Sequence, residues 1–227
     1  AQKLPEIESN EELGKDASEK VDRTLTEELV LGVCFPIGSA KNELIDTLKI
    51  ILKETYNYEV KVIKLSDYIK KHGTLKHSEV SGQTKGFSIL KNKIDNGNEL
   101  RGKYNNAILA ELAIRDINIE RRKGKNGDED LIPIEELKSR RICYIIDSLK
   151  NDAELNLFRK VYRDIFYLFS VFSPMRLREL NLIKERGLSQ PESNIIIEID
   201  ESEEIKHGQN VRDTFVNADF FVRLPSP

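Results

Sequence analysis

The sequence predicts an α/β domain built on a five-stranded, mostly parallel sheet wound by helices on its faces. Three observations predict it. Five short apolar runs rich in β-branched and aromatic residues recur along the chain, helical periodicities separate them, and the first two are joined by a crossover that makes their strands parallel. With 227 residues and 39% hydrophobic composition, such a domain can bury a core without metals or cross-links. The balance of 36 Lys plus Arg against 39 Asp plus Glu excludes collagen-like, disulfide-scaffold and wholly disordered classes. A net charge of −3 gives no general attraction to nucleic acid or anionic lipid, so phosphate recognition must come from a local arrangement of donors.

Residues 1–28 read as a polar N-terminal arm: between positions 8 and 28 eight acids accompany three bases, the pattern of a solvated helix or a disordered segment. The main domain is expected over 29–223. Its first strand is the buried run at 29–35, followed by the turn residues Pro36, Ile37, Gly38 and Ser39. Leu44, Ile45, Leu48, Ile51 and Leu52 then recur every three or four residues, which predicts a helix over about 42–56. A strand at 59–65 closes the unit. A long helical region follows at 87–119, interrupted by Asn96-Gly97-Asn98 and by Gly102, and a charged loop over 121–130. Strands are expected at 142–146 and 166–171, with a helix at 153–162 between them. A helix or turn at 211–215 leads to a last strand at 219–222. The acidic run 198–204 is expected to form a solvated face rather than a metal site. Residues 224–227 have linker composition, which raises the expectation that the chain is part of a longer protein.

Cys34 and Cys143 each lie inside an apolar run, where a small buried hydrophobe is expected, and such cysteine usage suggests a reducing, cytoplasmic compartment. No stretch approaches the ~18 apolar residues that a membrane helix needs.

The most informative segment is Gly32-Val33-Cys34-Phe35-Pro36-Ile37-Gly38-Ser39-Ala40-Lys41-Asn42, because it joins the first strand directly to the first helix. In a phosphate-binding loop, backbone N–H groups and the helix N-terminus surround one phosphate while a lysine reaches the next. Gly38 and Lys41 match the pattern G-x-x-x-x-G-K-[ST], but Phe35 and Ala40 replace its glycines and Asn42 its magnesium-binding hydroxyl. Nucleotide binding can survive those changes while turnover is lost. The alternative is a Gly-Ser turn with an incidental lysine. Nucleotide contacts are therefore expected from Gly38, Ser39, Ala40, Lys41 and Asn42. Asp147, at the end of the third strand, is the candidate for holding Mg²⁺ beside the loop. Asp67, after the second strand, points to the same crevice or else caps a helix. Arg101, Arg176, Arg178 and Arg212 are candidate phosphate clamps, with surface ion pairs as the alternative for each.

These residues fall in the order of a P-loop nucleoside monophosphate kinase. A narrower resemblance rests on Gly97-Asn98-Glu99-Leu100-Arg101; on Tyr144-Ile145-Ile146-Asp147-Ser148-Leu149-Lys150 followed by Glu154-Leu155 and Phe158-Arg159-Lys160-Val161-Tyr162; and on Gly208-Gln209-Asn210-Val211-Arg212-Asp213-Thr214-Phe215 with Ala218-Asp219-Phe220-Phe221-Val222. Across about 29–222 the chain resembles the amino-terminal P-loop domain of anti-phage dCTP deaminases. That resemblance implies a module that binds a nucleoside triphosphate or deoxynucleotide, with or without Mg²⁺. It would regulate an attached zinc-dependent deaminase that turns deoxycytidine nucleotides into deoxyuridine nucleotides.

It also raises the expectation of a homo-oligomer, of a regulatory RNA or protein partner, and of no membrane. Zinc belongs to the absent domain, since deaminase chemistry needs His or Cys with Glu and then P-C-x-x-C. His77-Ser78-Glu79 matches only the first part, and neither cysteine fits the second. Three readings stay open: a regulatory nucleotide-binding module, an active (deoxy)nucleoside monophosphate kinase, and a non-binding interaction domain.

Overall fold

The computed structural model describes residues 27–75, 82–123, 140–201, 208 and 210–224. Strand β1 (Leu29–Cys34) leads through a short loop into α1 (Lys41–Ile50), whose last turn widens into a π-type turn at Ile51–Thr55. Then come β2 (Glu59–Lys64), α2 (Leu65–His72), α3 (Lys85–Lys103), α4 (Ile108–Arg122), β3 (Ile142–Asp147), α5 (Asp152–Tyr162), β4 (Phe166–Phe172), α6 (Met175–Arg186), α7 (Gln190–Glu201), α8 (Val211–Val216) and β5 (Phe220–Arg223).

The sheet order is β2-β3-β1-β4-β5 and every pairing is parallel. The first strand is thus central, with β3 on one side and β4 on the other. The predicted α/β class holds: this is a five-stranded parallel sheet flanked by helices, with the β1–α1 loop at the carboxyl end of the middle strand.

Alternation along the strands builds two cores. Val30, Tyr144 and Ile146 face helices α4 and α5, which contribute Leu109, Ile117, Leu155 and Phe158. Leu31, Val33, Cys143 and Ile145 face the other side, where α1 adds Leu44 and Ile45. Burying each such side chain contributes about 1.5–3 kcal/mol. A third cluster joins α3, α6 and α7 through Phe87, Ile94, Leu182, Leu188, Ile196 and Ile197. There the helices meet closely: a side chain of any size at Gly86 would overlap the Arg186 carbonyl.

Both cysteines are free and fully buried, and burial pushes each thiol up to about 12. Among the described residues no helix is long and apolar enough to cross a membrane.

Four expectations need correction. Asn96-Gly97-Asn98 and Gly102 do not interrupt a helix, because α3 runs through them to Lys103. Asn96 turns its amide back to the Asn92 carbonyl and outward to Leu75, so its local alternatives to the helix are already used. The break falls instead at 104–107. Helices α2, α6 and α7 have no counterpart in the sequence reading. The acidic run is not a uniformly solvated face, since Asp200 on α7 is fully buried. Glu28, the last residue of the expected polar arm, is 3% exposed and pairs with Arg121 at 3.1 Å. The remainder of that arm before 27, most of the 121–130 loop, residues 77–79 and 225–227 lie outside the described residues.

Glu192 fixes α3 against the α6–α7 turn. Its carboxylate accepts from Thr84 N (2.7 Å), Thr84 Oγ1 (2.9 Å), Ser189 N (2.8 Å) and Ser189 Oγ (2.8 Å). Burial acts to raise this carboxyl, but the four donors outweigh it and bring the group down to about 2. A carboxyl lowered in the folded state adds stability above its unfolded value of 4.5, and that stability is lost as pH falls from there toward 2. In urea titrations across this window, the stability gap between wild type and Glu192→Gln should shrink with falling pH; a constant gap would refute the assignment.

Candidate functional site

The β1–α1 loop gets its shape from helices that follow it in sequence by more than a hundred residues. Gly38 has φ of +83°, and a Cβ there would lie 2.5 Å from the Arg178 carbonyl oxygen. Arg178 Nε donates to the Ile37 carbonyl (2.9 Å), Asn181 Nδ2 to the Gly38 carbonyl (2.9 Å), and Ile37 N to Asp200 Oδ2 (2.7 Å). Inside the loop Ser39 N donates to Pro36 O (3.2 Å) and Lys41 N to Ser39 O (2.8 Å). The amides of Gly38 and Ala40 make no hydrogen bond among the described residues. Helix α1 begins without a side-chain cap, because its N-cap residue is Ala40. Its first-turn amides beyond Lys41 therefore face outward, the arrangement that suits an anion.

Lys41 does not reach freely into that space. Its ammonium donates to both oxygens of Asp147, at 2.9 and 2.8 Å, and Ser148 Oγ donates to the same carboxylate at 2.6 Å. Asp147 is 2% exposed. Its position at the end of β3 is the predicted one, but its oxygens serve an ammonium and a hydroxyl. Asn42, where a hydroxyl would complete a magnesium site, is exposed. The residues present do not fit Mg²⁺. Beside this pair a second one forms, with Lys150 bound to Asp200. The buried loop end thus holds two lysines, each matched by its own carboxylate.

Above the loop lies a cavity of about 280 Å³. One wall is the loop and α1; the others come from α2, α3, α4 and α6, with Leu65, Ile69, Leu90, Ile94, Leu109 and Leu182 as its apolar lining. Ser39 lines it too, and its hydroxyl is buried with no partner among the described residues. A polar floor opposite an apolar wall accepts a ligand with an anionic end and a flat or aliphatic body.

The predicted residues divide accordingly. Gly38, Ser39, Ala40, Lys41 and Asn42 line this cavity, and Asp147 lies directly behind it. Asp67 does not: it is exposed in the first turn of α2 beside Lys70 (3.5 Å), and it caps nothing because Lys64 holds the N-cap position. Arg176 and Arg212 are exposed and away from the cavity. Arg178 is 4% exposed and braces the loop from behind, with Nη1 on Glu201 at 2.6 Å. Arg101 does line the cavity, but its Nε and Nη2 are bound to Glu154 Oε1 at 3.0 and 2.8 Å in a pair that is 2% and 0% exposed.

Two further lysines belong to this cavity. Lys150 and Lys93 both line the cavity. Lys93 has no acid or hydrogen-bond partner among the described residues. Burial, and then the positive charges of Lys150, Lys41 and Lys70, lower its ammonium to about 8. Its signal in the sequence is the spacing Lys93, Gly97, Arg101, which puts one residue per turn on one face of a helix. The block containing Asn210 also docks here, since Asn210 N donates to Lys150 O (2.9 Å) and Asn151 Nδ2 to Gly208 O (3.2 Å).

No protein-family model matches the chain, and no curated protein matches it. Among solved structures it is similar to TT1252 from Thermus thermophilus, with 13% identity over 88% of this chain and 90% of that one, and a TM-score of 0.45. It is similar to an uncharacterized protein from Eubacterium ventriosum, with 8% identity, 86% and 88% coverage, and a TM-score of 0.37. A candidate fructose transport system kinase from Silicibacter is 10% identical over 96% of this chain and 100% of that one, with a TM-score of 0.38. At such likeness no function is carried over, and the fold assignment rests on the chain's own strand order.

Two substitutions test this geometry. Glu154→Ala leaves the Arg101 guanidinium buried without its counter-ion and should lower stability by about 3–5 kcal/mol in denaturant titrations; a loss under about 1 kcal/mol would show that the pair is not structural. Gly38→Ala forces a Cβ against the Arg178 carbonyl and should cost about 1–3 kcal/mol; unchanged stability would mean that the loop is free to take another shape.

Proposed function

We propose that this domain binds a nucleotide without turning it over. The observation that carries the reading is the uncapped start of α1, which opens with the amides of Gly38 and Ala40 onto a cavity whose far wall is apolar. In this reading a phosphate chain lies over the loop beside Lys41, and the base lies against Ile69, Leu90, Ile94 and Leu109. Absence of turnover follows from the occupied carboxylate of Asp147 and from Asn42 in place of a hydroxyl. The resemblance to anti-phage dCTP deaminases supplies the setting: a sensing module that gates deamination of deoxycytidine nucleotides by an attached domain.

One observation favours a second reading, a domain that binds no nucleotide and serves as an interaction surface. Lys41 is already paired, and the Ile37, Ser39 and Lys41 amides already have acceptors.

A thermal-shift panel of dCMP, dCTP, ATP and GTP separates the readings. Saturation at about a hundred times Kd should stabilise the domain by roughly 2.7 kcal/mol, and a coupled assay should register no phosphoryl transfer. Transfer abolished by Lys41→Ala would establish a kinase. Silence toward every nucleotide would leave the interaction domain.

A further inference from the structure

The sheet has two edges, and they are built differently. On β2 the charged residues Glu59, Lys61 and Lys64 are spread along the strand, and charge of this kind is how natural edges resist pairing with another chain. On β5 the order is Phe220-Phe221-Val222-Arg223, with Phe220 48% and Phe221 60% exposed. Rings stand on both faces of this edge. Phe220 stacks on Phe169 with centroids 5.0 Å apart and tilts against Tyr167 at 6.1 Å, while Phe221 tilts against Phe215 at 5.5 Å on the other face. Tyr167 and Phe172, beside them on β4, are exposed as well. An aromatic edge with charge only at its ends is a template for a further strand.

The pairing with β4 decides which backbone groups are left over. Asp219 N donates to the Leu168 carbonyl (3.0 Å), and Phe220 to Arg223 then run parallel to Phe169 to Phe172. In a parallel ladder alternate residues turn N–H and C=O to the same neighbour, so residues 219, 221 and 223 serve β4. The N–H and C=O groups of Phe220 and Val222 point away from the sheet.

Two copies of β5 running antiparallel satisfy those groups in one register. Phe220 of each copy lies opposite Val222 of the other, and each such pair exchanges two hydrogen bonds. The same register sets Phe221 against Phe221 on the two-fold axis and Asp219 against Arg223 at both ends, as the closely spaced, non-hydrogen-bonded kind of pair. A two-fold at Phe220 or at Val222 would lose both charge pairs. The end groups are available for this. Asp219 accepts from Leu168 N (2.7 Å) and holds Arg159 (3.2 Å), yet its side chain stays 35% exposed. Arg223 lies over the Phe172 ring at 5.9 Å and has no acid among the described residues.

We infer that β5 is a self-association edge, through which two copies of this chain pair antiparallel about Phe221 and join their sheets into one. The inference does not depend on nucleotide binding. With four residues a side, the contact belongs to the weak, reversible class.

Sedimentation velocity of the full chain, over a hundredfold range of concentration up to about 1 mM, tests this and should show a reversible dimer. Val222→Pro removes an outward N–H and no bond to β4. Arg223→Asp sets two acids against each other at both ends. Each should weaken dimerisation at least about tenfold, with a melting temperature unchanged under conditions where every protein is monomeric. Should the proline variant fail to fold, Arg223→Asp carries the same test from the exposed end of the strand.

Cross-linking reads the register. In Phe221→Cys the two new thiols face each other on the axis at a spacing that a disulfide spans, so diamide should link the copies. In Phe220→Cys they lie two residues out of line, beyond that reach, and no link should form. Cys34 and Cys143 are buried and do not compete. A monomer at every concentration would overturn the inference and leave the edge to another segment or another protein. Dimerisation undiminished in both Val222→Pro and Arg223→Asp would place the contact elsewhere. Equal linking by Phe220→Cys and Phe221→Cys would refute the two-fold at Phe221.

Discussion

The buried carboxylate of Asp200 holds the loop end of the molecule in shape. One of its oxygens accepts from the Ile37 amide and the other binds the Lys150 ammonium, so a single group on α7 ties the β1–α1 loop to the segment after β3. Without it the loop would have an orphaned amide at its first bend and Lys150 would stand uncompensated in a dry setting. Arg178 and Asn181 add a second grip from α6, closing on the carbonyls of Ile37 and Gly38. The loop's curvature is therefore imposed from outside, and its own sequence contributes chiefly the residue at 38 that tolerates a positive φ.

This division explains what could be read in advance. Strands β1 and β3, helices α1 and α5, and the placement of Gly38, Lys41 and Asp147 at the same sheet end all follow from local pattern and chain order, and the structure places them so. Helices α6 and α7 were invisible because their apolar residues serve a satellite cluster with α3, without the broad stripe of a helix on a sheet. Arg101 and Arg178 look alike in sequence to any phosphate clamp. Only their partners, Glu154 and the Ile37 carbonyl, reveal that much of each guanidinium is occupied by the protein. Asp67 was misplaced for a simpler reason: α2 begins at the very next residue after β2, and its third position turns outward.

Electrostatically, the cavity end pairs three cations with buried acids, while Lys93 has no such acid among the described residues. The Lys41–Asp147, Lys150–Asp200 and Arg101–Glu154 pairs each bury a carboxylate at 2% exposure or less. Such pairs are weak contributors to net stability, but removing one partner is severe, which makes the arrangement stiff in composition. What remains unmatched is the ammonium on α3. Spacing along α3 marks the position of that lysine, but its surplus charge depends on which acids lie across the cavity and not on the neighbours of residue 93.

Gly86 bears on how this cavity can change size. The first turn of α3 touches the carbonyl end of α6 with no side chain between them, so the two helices meet there backbone to backbone. Sliding α3 along α6 is blocked at that point. The far half of the same helix is held as well, by the Arg101–Glu154 pair to α5, so α3 is fixed near both of its ends.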